Sequence, residues 1–481
     1  MKNFYITTTL PYVNARLHIG HALEFVQADL IARYHKIIGD NVFFNTGTDE
    51  HGQKIYEKSL KERKDPKIYV DECAIEFKKV LKGLNILPEV NFIRTTDEHH
   101  IIAAQEFWRR CFKNGDIYKR KYKVKYCVGC ELEKTDSELK DGKCPLHPNR
   151  EIEFIDEENY FFRFSKYAQA LLTLYKKYPD FVVPVNRLTE IKNFVAAGLQ
   201  DFSISRLKDK MPWGVPVPDD NSHIMYVWFD ALVNYISALE WPENERKFEE
   251  FWGTKENPNA LQIAGKDNLR QQSAMWQAML LSAGLPTSRQ ILIHGFINIG
   301  GQKISKSLGN TVDLLGLINR YGTDAVRFWL LKEVNPFEDA DFTLEKFKES
   351  YNAKLANGLG NLVSRVVKLA RNCGVEFVKP KEDAKELNAH AEKINGYRFG
   401  EAMGAIWEKI QITDKFMQER EPFKKIKTEP EKAVADIREL LEGVWEIGAL
   451  LRSLLPETSE KIRAVVENDS IHLTPIFPRA A

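Results

Sequence analysis

The sequence predicts an α/β chain: a doubly wound parallel sheet, interrupted by a cysteine-rich knuckle and followed by an all-α bundle. Three observations carry this expectation. Apolar, β-rich runs near the start alternate with stretches of helical period, the pattern of units that build a parallel sheet. Two closely spaced pairs of metal-ligand residues stand between positions 127 and 147. After about residue 340 glycine and proline thin out and amphipathic helical stretches take over.

The first strand is Phe4-Tyr5-Ile6-Thr7-Thr8-Thr9, followed by a loop punctuated by Pro11 and Asn14. Ile19, Leu23, Val26, Leu30, Tyr34 and Ile37 then recur at helical steps, and the helix stops at Gly39. At the turn between them lies His18-Ile19-Gly20-His21. Exposed amide N–H groups and the helix dipole make such a turn a phosphate site. Two imidazoles three residues apart share a face of the first turn and can donate to phosphate or ribose oxygens, and Gly20 lets a nucleotide approach the backbone. Alone, the tetrapeptide fits ordinary surface histidines better than a site.

Asn41-Val42-Phe43-Phe44-Asn45 reads as the second strand, followed by Thr46-Gly47-Thr48-Asp49-Glu50-His51-Gly52. Carboxylates at the C-terminal end of a parallel strand lie at the crevice where doubly wound sheets bind ligands, the lesser alternative being that Asp49 and Glu50 cap the next helix. Cys127-Val128-Gly129-Cys130 and Cys144-Pro145-Leu146-His147 give C-x2-C followed by C-x2-H. Two such turns, eased by Gly129 and Gly142, can converge tetrahedrally on zinc. Four protein ligands leave no open position, so the ion is structural. Lys119, Arg120, Lys121, Lys123 and Lys125 lead into this knuckle as either a nucleic-acid patch or a solvated charged strand. Tyr226 to Tyr235 is aromatic-rich and reads as core when taken alone. Gln290-Ile291-Leu292-Ile293 is a further strand. Beyond it Gly295, Gly300 and Gly301 bracket a short Phe296–Ile299 run, and Lys303-Ile304-Ser305-Lys306-Ser307 forms a basic loop. Mobile lysines there suit a pyrophosphate leaving group, while a solvated loop is the simpler reading of this segment by itself.

Taken together and in this order, the histidine and lysine segments resemble the signature pair of the class I aminoacyl-tRNA synthetases. Ile304 stands where that class usually carries methionine. The Thr46–Gly52 stretch, the knuckle and the absence of a large inserted editing domain resemble the methionyl-tRNA synthetases within the class. A histidine as the fourth knuckle ligand is a variant of the more usual cysteine. Asn268 and Gln272, after Gly265-Lys266-Asp267, replace the isoleucine and histidine often found in the family.

The resemblance implies a Rossmann-like catalytic domain whose zinc-bearing connective insertion splits it, then a helical anticodon-binding domain. It implies that methionine carboxylate attacks the α-phosphorus of Mg²⁺-ATP and that the methionyl group of the resulting adenylate is transferred to the 3′ end of methionine tRNA (initiator and elongator). His18, His21, Lys303 and Lys306 would act on the phosphates, with Gly20 and Ser305 completing the ATP site. Asp49 would hold the methionine ammonium, and Leu10, Tyr12, Trp228, Ala231, Tyr235 and Gln272 its side chain. Zn²⁺ would sit on Cys127, Cys130, Cys144 and His147. Asn361 and Arg365, in Asn361-Leu362-Val363-Ser364-Arg365, would read anticodon bases, and Phe423 would stack on one where the family has tryptophan. A related class I enzyme for another amino acid, and a catalytically silent RNA-binding homologue, are the alternatives.

The expected organisation is catalytic first half 1–115, insertion 116–215, second half 216–295, lysine loop and stem-contact region 296–345, and helical domain 346–481. Helical stretches are expected at Leu355–Ala370, Ile394–Met417 and Ala433–Leu455. A chain of 481 residues has room for two to four domains. The net charge of +1 excludes a polycation, so RNA would be held by local patches. Six cysteines, three of them in the knuckle, suggest a reducing compartment, and no segment reads as signal peptide or membrane span. A cytoplasmic monomer is expected.

Overall fold

The computed structural model describes residues 2–480 apart from 131, 135, 304–310, 381–383 and 469. Ser305 and Lys306 therefore lie outside the described residues, and Lys303 is described only as backbone in the short strand Gln302–Lys303. The chain forms two compact units that do not follow sequence order. One comprises Met1–Arg16, Asn41–Lys79 and Glu89–Ile293, the other Leu17–Asp40, Val80–Pro88 and His294–Ala481.

The first unit is built on a six-stranded sheet. Its spatial order is Asn91–Arg94, Asn41–Thr48, Asn3–Thr8, Ala260–Gly265, Gln290–His294 and Val182–Val183. Tyr5 is in parallel register with both Phe43 and Ala260. The chain runs outward from Asn3–Thr8 on one side, then returns to its other side at Ala260–Gly265. This reversal is a topological switch point, and ligands of doubly wound sheets bind beyond the strand ends there. All six residues of Ala260–Gly265 are buried, as a central parallel strand requires. Aromatics fill the space behind: the Phe107 and Trp276 rings stack at 5.5 Å, and Trp108 meets Phe229 edge-on at 5.3 Å.

The insertion is a separate antiparallel sheet, ordered Leu132–Lys134, Ile117–Cys127, Glu153–Phe162, Phe202–Ser203. Its two long strands pair from Ile117–Phe162 to Tyr126–Glu153 and carry the knuckle at their end. Three of the five cations on the basic strand are paired. Lys119 pairs with Asp220 at 2.8 Å, Lys123 with Asp156 at 2.9 Å, and Lys125 with Asp136.

The second unit contains the helix Ile19–Ile37 and the C-terminal helices. The stretch expected at 355–370 is Tyr351–Gly360, wound as a wide π-type helix, continuing into Asn361–Cys373 and ending on left-handed Gly374. The stretch expected at 394–417 is instead divided into Ala384–Asn395 and Phe399–Arg420, because Tyr397 takes a positive φ of 58° and turns the chain. Pro430–Leu450 starts on a proline, as first helical turns tolerate, and ends before the expected Leu455. Among the described residues no helix is long and apolar enough to cross a membrane.

Candidate active site and metal centre

His18 is the N-cap of the helix Ile19–Ile37, in extended backbone (φ −128°, ψ 175°). Its Nδ1 accepts the Gly20 N–H at 3.2 Å, and His21 Nδ1 accepts the His18 N–H at 3.1 Å. The two rings stack with centroids 3.8 Å apart. This is a capping box made by imidazoles. A ring nitrogen that accepts a backbone N–H carries no proton, so both rings are held with the proton on Nε2. Desolvation, then the neighbouring His18, then His294, hold His21 well below its ordinary value, so it stays neutral. The result is two preset N–H donors at a helix N-terminus. Gly20 serves the cap as well as any ligand, since a Cβ there would come within 3.0 Å of the His18 ring. In the same unit His294 Nδ1 lies 2.7 Å from the Gly295 carbonyl, and its Nε2 lies 3.0 Å from Glu24 Oε2. Both side chains are buried.

In the first unit the loop after Asn3–Thr8 pairs with the end of Asn41–Thr48. Asp49 N–H donates to the Pro11 carbonyl at 3.1 Å and Val13 N–H to the Asp49 carbonyl at 3.2 Å. Tyr12 and Asp49 thus stand side by side as an isolated parallel bridge, with Leu10 just before them. Glu50 is not a helix cap. It takes a two-pronged contact from Arg94 at 2.7 and 2.9 Å, with Thr48 Oγ1 at 2.6 Å and Thr96 Oγ1 at 2.5 Å. The helix Gln53–Lys61 has no side-chain cap at all.

Burial differs along the aromatic segment. Phe229 is fully buried in the core, whereas Trp228 is half-buried and its indole Nε1 has no hydrogen-bond partner among the described residues. Ala231 and Tyr235 are buried. Gln272 Nε2 donates to Tyr235 Oη at 2.6 Å while its Oε1 accepts from Gln262 at 3.2 Å. The glutamine that departs from the family pattern therefore has one fixed orientation, set by an amide on the neighbouring strand.

The four knuckle ligands converge as the spacing predicts. Their candidate atoms lie within 4.8 Å of one another. Cys130 Sγ is 3.5 Å from Cys144 Sγ and 3.3 Å from His147 Nδ1, and Cys127 Sγ is 3.8 Å from His147 Nδ1. Tetrahedral ligands on zinc stand about 3.3–3.8 Å apart given bonds of about 2.0–2.3 Å, so the donor set fits such an ion. Gly129 is required by proximity, since a Cβ there would lie 2.3 Å from the His147 ring.

In the helical domain Asn361 opens the helix Asn361–Cys373 and is exposed. Arg365 Nη1 pairs with Asp414 at 2.6 Å, and Phe423 is 44 % exposed beside Lys424.

Two family profiles match the chain. The one described as tRNA synthetases class I (M) covers residues 4–151 and 137–367, and the anticodon binding domain of methionyl tRNA ligase covers 378–475. The methionine–tRNA ligase of Thermotoga maritima is 39 % identical over 95 % of this chain and 74 % of its own length. That of Thermosynechococcus vestitus is 42 % identical over 96 % and 89 %. The Mycobacterium tuberculosis methionyl-tRNA synthetase bound to methionyl-adenylate superposes with a TM-score of 0.88 at 34 % identity, covering 96 % of this chain and 93 % of that one. The chain belongs to the methionyl-tRNA synthetases.

Against the background of that family, several contributors gave no sequence signal as site residues. Glu24 and His294, beside the capping histidines, lie far apart in the chain. Arg94, which holds Glu50, and Gln262, which orients Gln272, read as ordinary strand positions. Asp230 offers one clue: it is a carboxylate inside an otherwise apolar, aromatic segment.

Proposed function

We propose that this member of the methionyl-tRNA synthetases activates methionine with ATP and transfers it to methionine tRNA. The observation that carries the reading is the imidazole capping box, which presents two neutral Nε2–H donors at the start of a 19-residue helix. Methionine's carboxylate oxygen forms a bond to the α-phosphorus in line, the bond to the bridging oxygen breaks, and pyrophosphate leaves with the electron pair. The terminal adenosine hydroxyl then attacks the acyl carbon and releases AMP.

No side chain acts as a nucleophile in this scheme, so rate comes from positioning and from stabilising developing phosphate charge. His18 and His21 donate to phosphate and ribose oxygens, with Gly20 in the same turn. Lys303, Ser305 and Lys306 hold the leaving pyrophosphate. Asp49 pairs with the ammonium, and Leu10, Tyr12, Trp228, Ala231, Tyr235 and Gln272 surround the thioether, which packs well against aromatic faces. Mg²⁺ bound with ATP supplies charge neutralisation on the phosphates. Zn²⁺ on Cys127, Cys130, Cys144 and His147 is structural. Asn361, Arg365 and Phe423 read the anticodon of initiator and elongator tRNA. The reading places the protein in the cytoplasm as a monomer.

The test is exchange of labelled pyrophosphate into ATP with methionine, isoleucine, leucine, valine and cysteine in parallel. Exchange with methionine alone is expected. Exchange with another amino acid would overturn the pocket, and none at all would favour a silent RNA-binding homologue. Lys306→Ala is expected to cut the exchange rate at least ~100-fold while methionine KM stays within twofold. Equal losses in both would remove the lysine from its role.

A further inference from the structure

The first unit contains a buried polar cluster that the reaction scheme does not use. The Asp230 carboxylate is fully enclosed. His51 Nδ1 lies 2.7 Å from its Oδ2, and His100 Nε2 lies 2.8 Å from its Oδ1. The other nitrogen of His100 lies 2.8 Å from Ser237 Oγ. His51 and His100 are also buried, and no lysine or arginine side chain is paired with Asp230 among the described contacts. Burial alone would raise the carboxyl group, but the two imidazoles more than offset it and hold it below its ordinary value. Asp230 is thus an anion, acceptor only, and both ring nitrogens facing it are N–H donors. Charge-assisted bonds of this length in an enclosed site are short, directional and costly to break.

The cluster's position in the chain gives it meaning. His51 follows Asp49 by two residues, on the strand end whose Glu50 is already fixed by Arg94 and whose Glu50 carbonyl accepts from Trp213 Nε1 at 2.7 Å. Asp230 lies between Trp228 and Ala231 on the helix Val227–Ala231. Ser237 lies on the next helix, Asn234–Ser237, two residues after Tyr235. His100, near the start of the helix Glu98–Lys113, bridges the last two. Asn234 reinforces the link, donating to the Ala231 carbonyl at 2.6 Å and accepting from Asn45 at 3.3 Å. One carboxylate and two imidazoles therefore touch all three segments that carry Asp49, Trp228 with Ala231, and Tyr235.

We propose that Asp230, with His51 and His100 as its donors, is the positioning centre of the methionine site: it sets the ammonium-binding strand end against the segments that enclose the thioether. This deepens the proposed function and rests on its assignment of Asp49, Trp228, Ala231 and Tyr235 to methionine. None of the three cluster residues need touch the substrate. Their effect on methionine runs through the segments they key together, and displacing such segments by about 1 Å is enough to cost orders of magnitude.

The experiment is methionine-dependent pyrophosphate exchange on the full-length chain, with KM for methionine and for ATP measured separately. Asp230→Asn is expected to raise methionine KM about tenfold or more, one decade being about 1.4 kcal/mol, and to leave ATP KM within twofold. His100→Gln can still donate to Asp230 and accept from Ser237, so it is expected to stay within about threefold of the parent, whereas His100→Leu behaves like Asp230→Asn. A merely structural cluster would lower the active fraction and leave both KM values alone, and that result, or equal rises in both, overturns the proposal. If Asp230→Asn does not fold, the His100→Gln and His100→Leu pair decides: indistinguishable methionine KM values overturn it. Asp49→Asn separates the two layers. If it leaves methionine KM unchanged, the site assignment itself fails. If it raises KM while the Asp230 and His100 variants do not, only the positioning centre fails.

Discussion

Replacing Arg327 by methionine removes one partner from a fully enclosed ion pair while keeping most of the volume. Arg327 lies on the helix Thr323–Phe328, and neither it nor Asp29 has any exposed side-chain surface. Its Nη1 is 2.7 Å from Asp29, on the helix whose first turn carries His21. Its Nε donates to the Leu454 carbonyl at 3.0 Å and its Nη1 to the Leu84 carbonyl at 3.2 Å. Breaking a buried pair by deleting one partner costs about 3–5 kcal/mol. The lower half of that range applies to the charge itself, because Asp29 keeps the Leu87 N–H at 2.7 Å and Arg33 Nε at 2.7 Å. The carbonyls left without this donor add about 1–3 kcal/mol each only where water cannot replace it, so about 3–4 kcal/mol is the minimum, reached when water rehydrates them. A chain with two compact units has no single unfolding free energy, so the quantity to measure is local. Hydrogen exchange of the amides in Ile19–Ile37 and Pro456–Glu467 should accelerate roughly 10²- to 10⁴-fold in Arg327→Met, since each 1.4 kcal/mol is a decade in the opening equilibrium. Arg327→Lys, which can reach only part of this set, should fall between. Protection within threefold of the parent in both helices would refute the argument that Arg327 ties them together.

Three further outcomes are expected. Asp324 is buried, and burial pushes it up to about 6 even though Arg327 and the Thr458 N–H, 2.6 Å from its Oδ2, pull the other way. A carboxyl group raised on folding favours the folded state below its unfolded value, and that contribution is lost as pH rises through about 6, a span of about 3 kcal/mol. Amide protection of Thr323–Phe328 and Pro456–Glu467 should therefore rise in Asp324→Asn relative to the parent at pH 8 but not at pH 4, and an equal change at both would count against it. Elemental analysis should find one equivalent of zinc per chain, and Cys144→Ser should lose it and expose residues 127–147 to protease, with methionine KM unchanged; full zinc retention would remove Cys144 from the ligand set. Phe423→Ala should raise the KM for tRNA in charging about tenfold, the loss of one stacked base, while Phe423→Trp holds or improves it and pyrophosphate exchange is unaffected in both.

Local signals made most of the fold legible. The strand–turn–helix at residues 3–37, the strand ending in Thr46–Gly52 and the ligand pairs of the knuckle each lie within a short span, so periodicity, punctuation and spacing suffice to place them. The bundle was legible as helices but not as boundaries. The break at Tyr397 depends on a backbone conformation that no periodicity announces. The histidine pair was legible as the start of a helix, yet not as a reciprocal cap, because the exchange of Nδ1 bonds depends on ring orientation.

The residues that stayed hidden share one physical property: their partners are distant in the chain. His51 and His100 meet Asp230 across 179 and 130 residues. Arg327 reaches Leu454 across 127 and Leu84 across 243. Something of each could still be inferred. Asp230 stands in Trp228-Phe229-Asp230-Ala231-Leu232 and Arg327 in Ala325-Val326-Arg327-Phe328-Trp329, each a charge inside an apolar run. A helix buried on such a face cannot leave that charge unsatisfied, because the penalty for an unpaired buried ion exceeds what the surrounding apolar residues contribute. The sequence thus states that a partner exists and gives its sign. Which residue answers is a property of the tertiary fold alone, and it is at these answers that the two units of this protein are keyed internally.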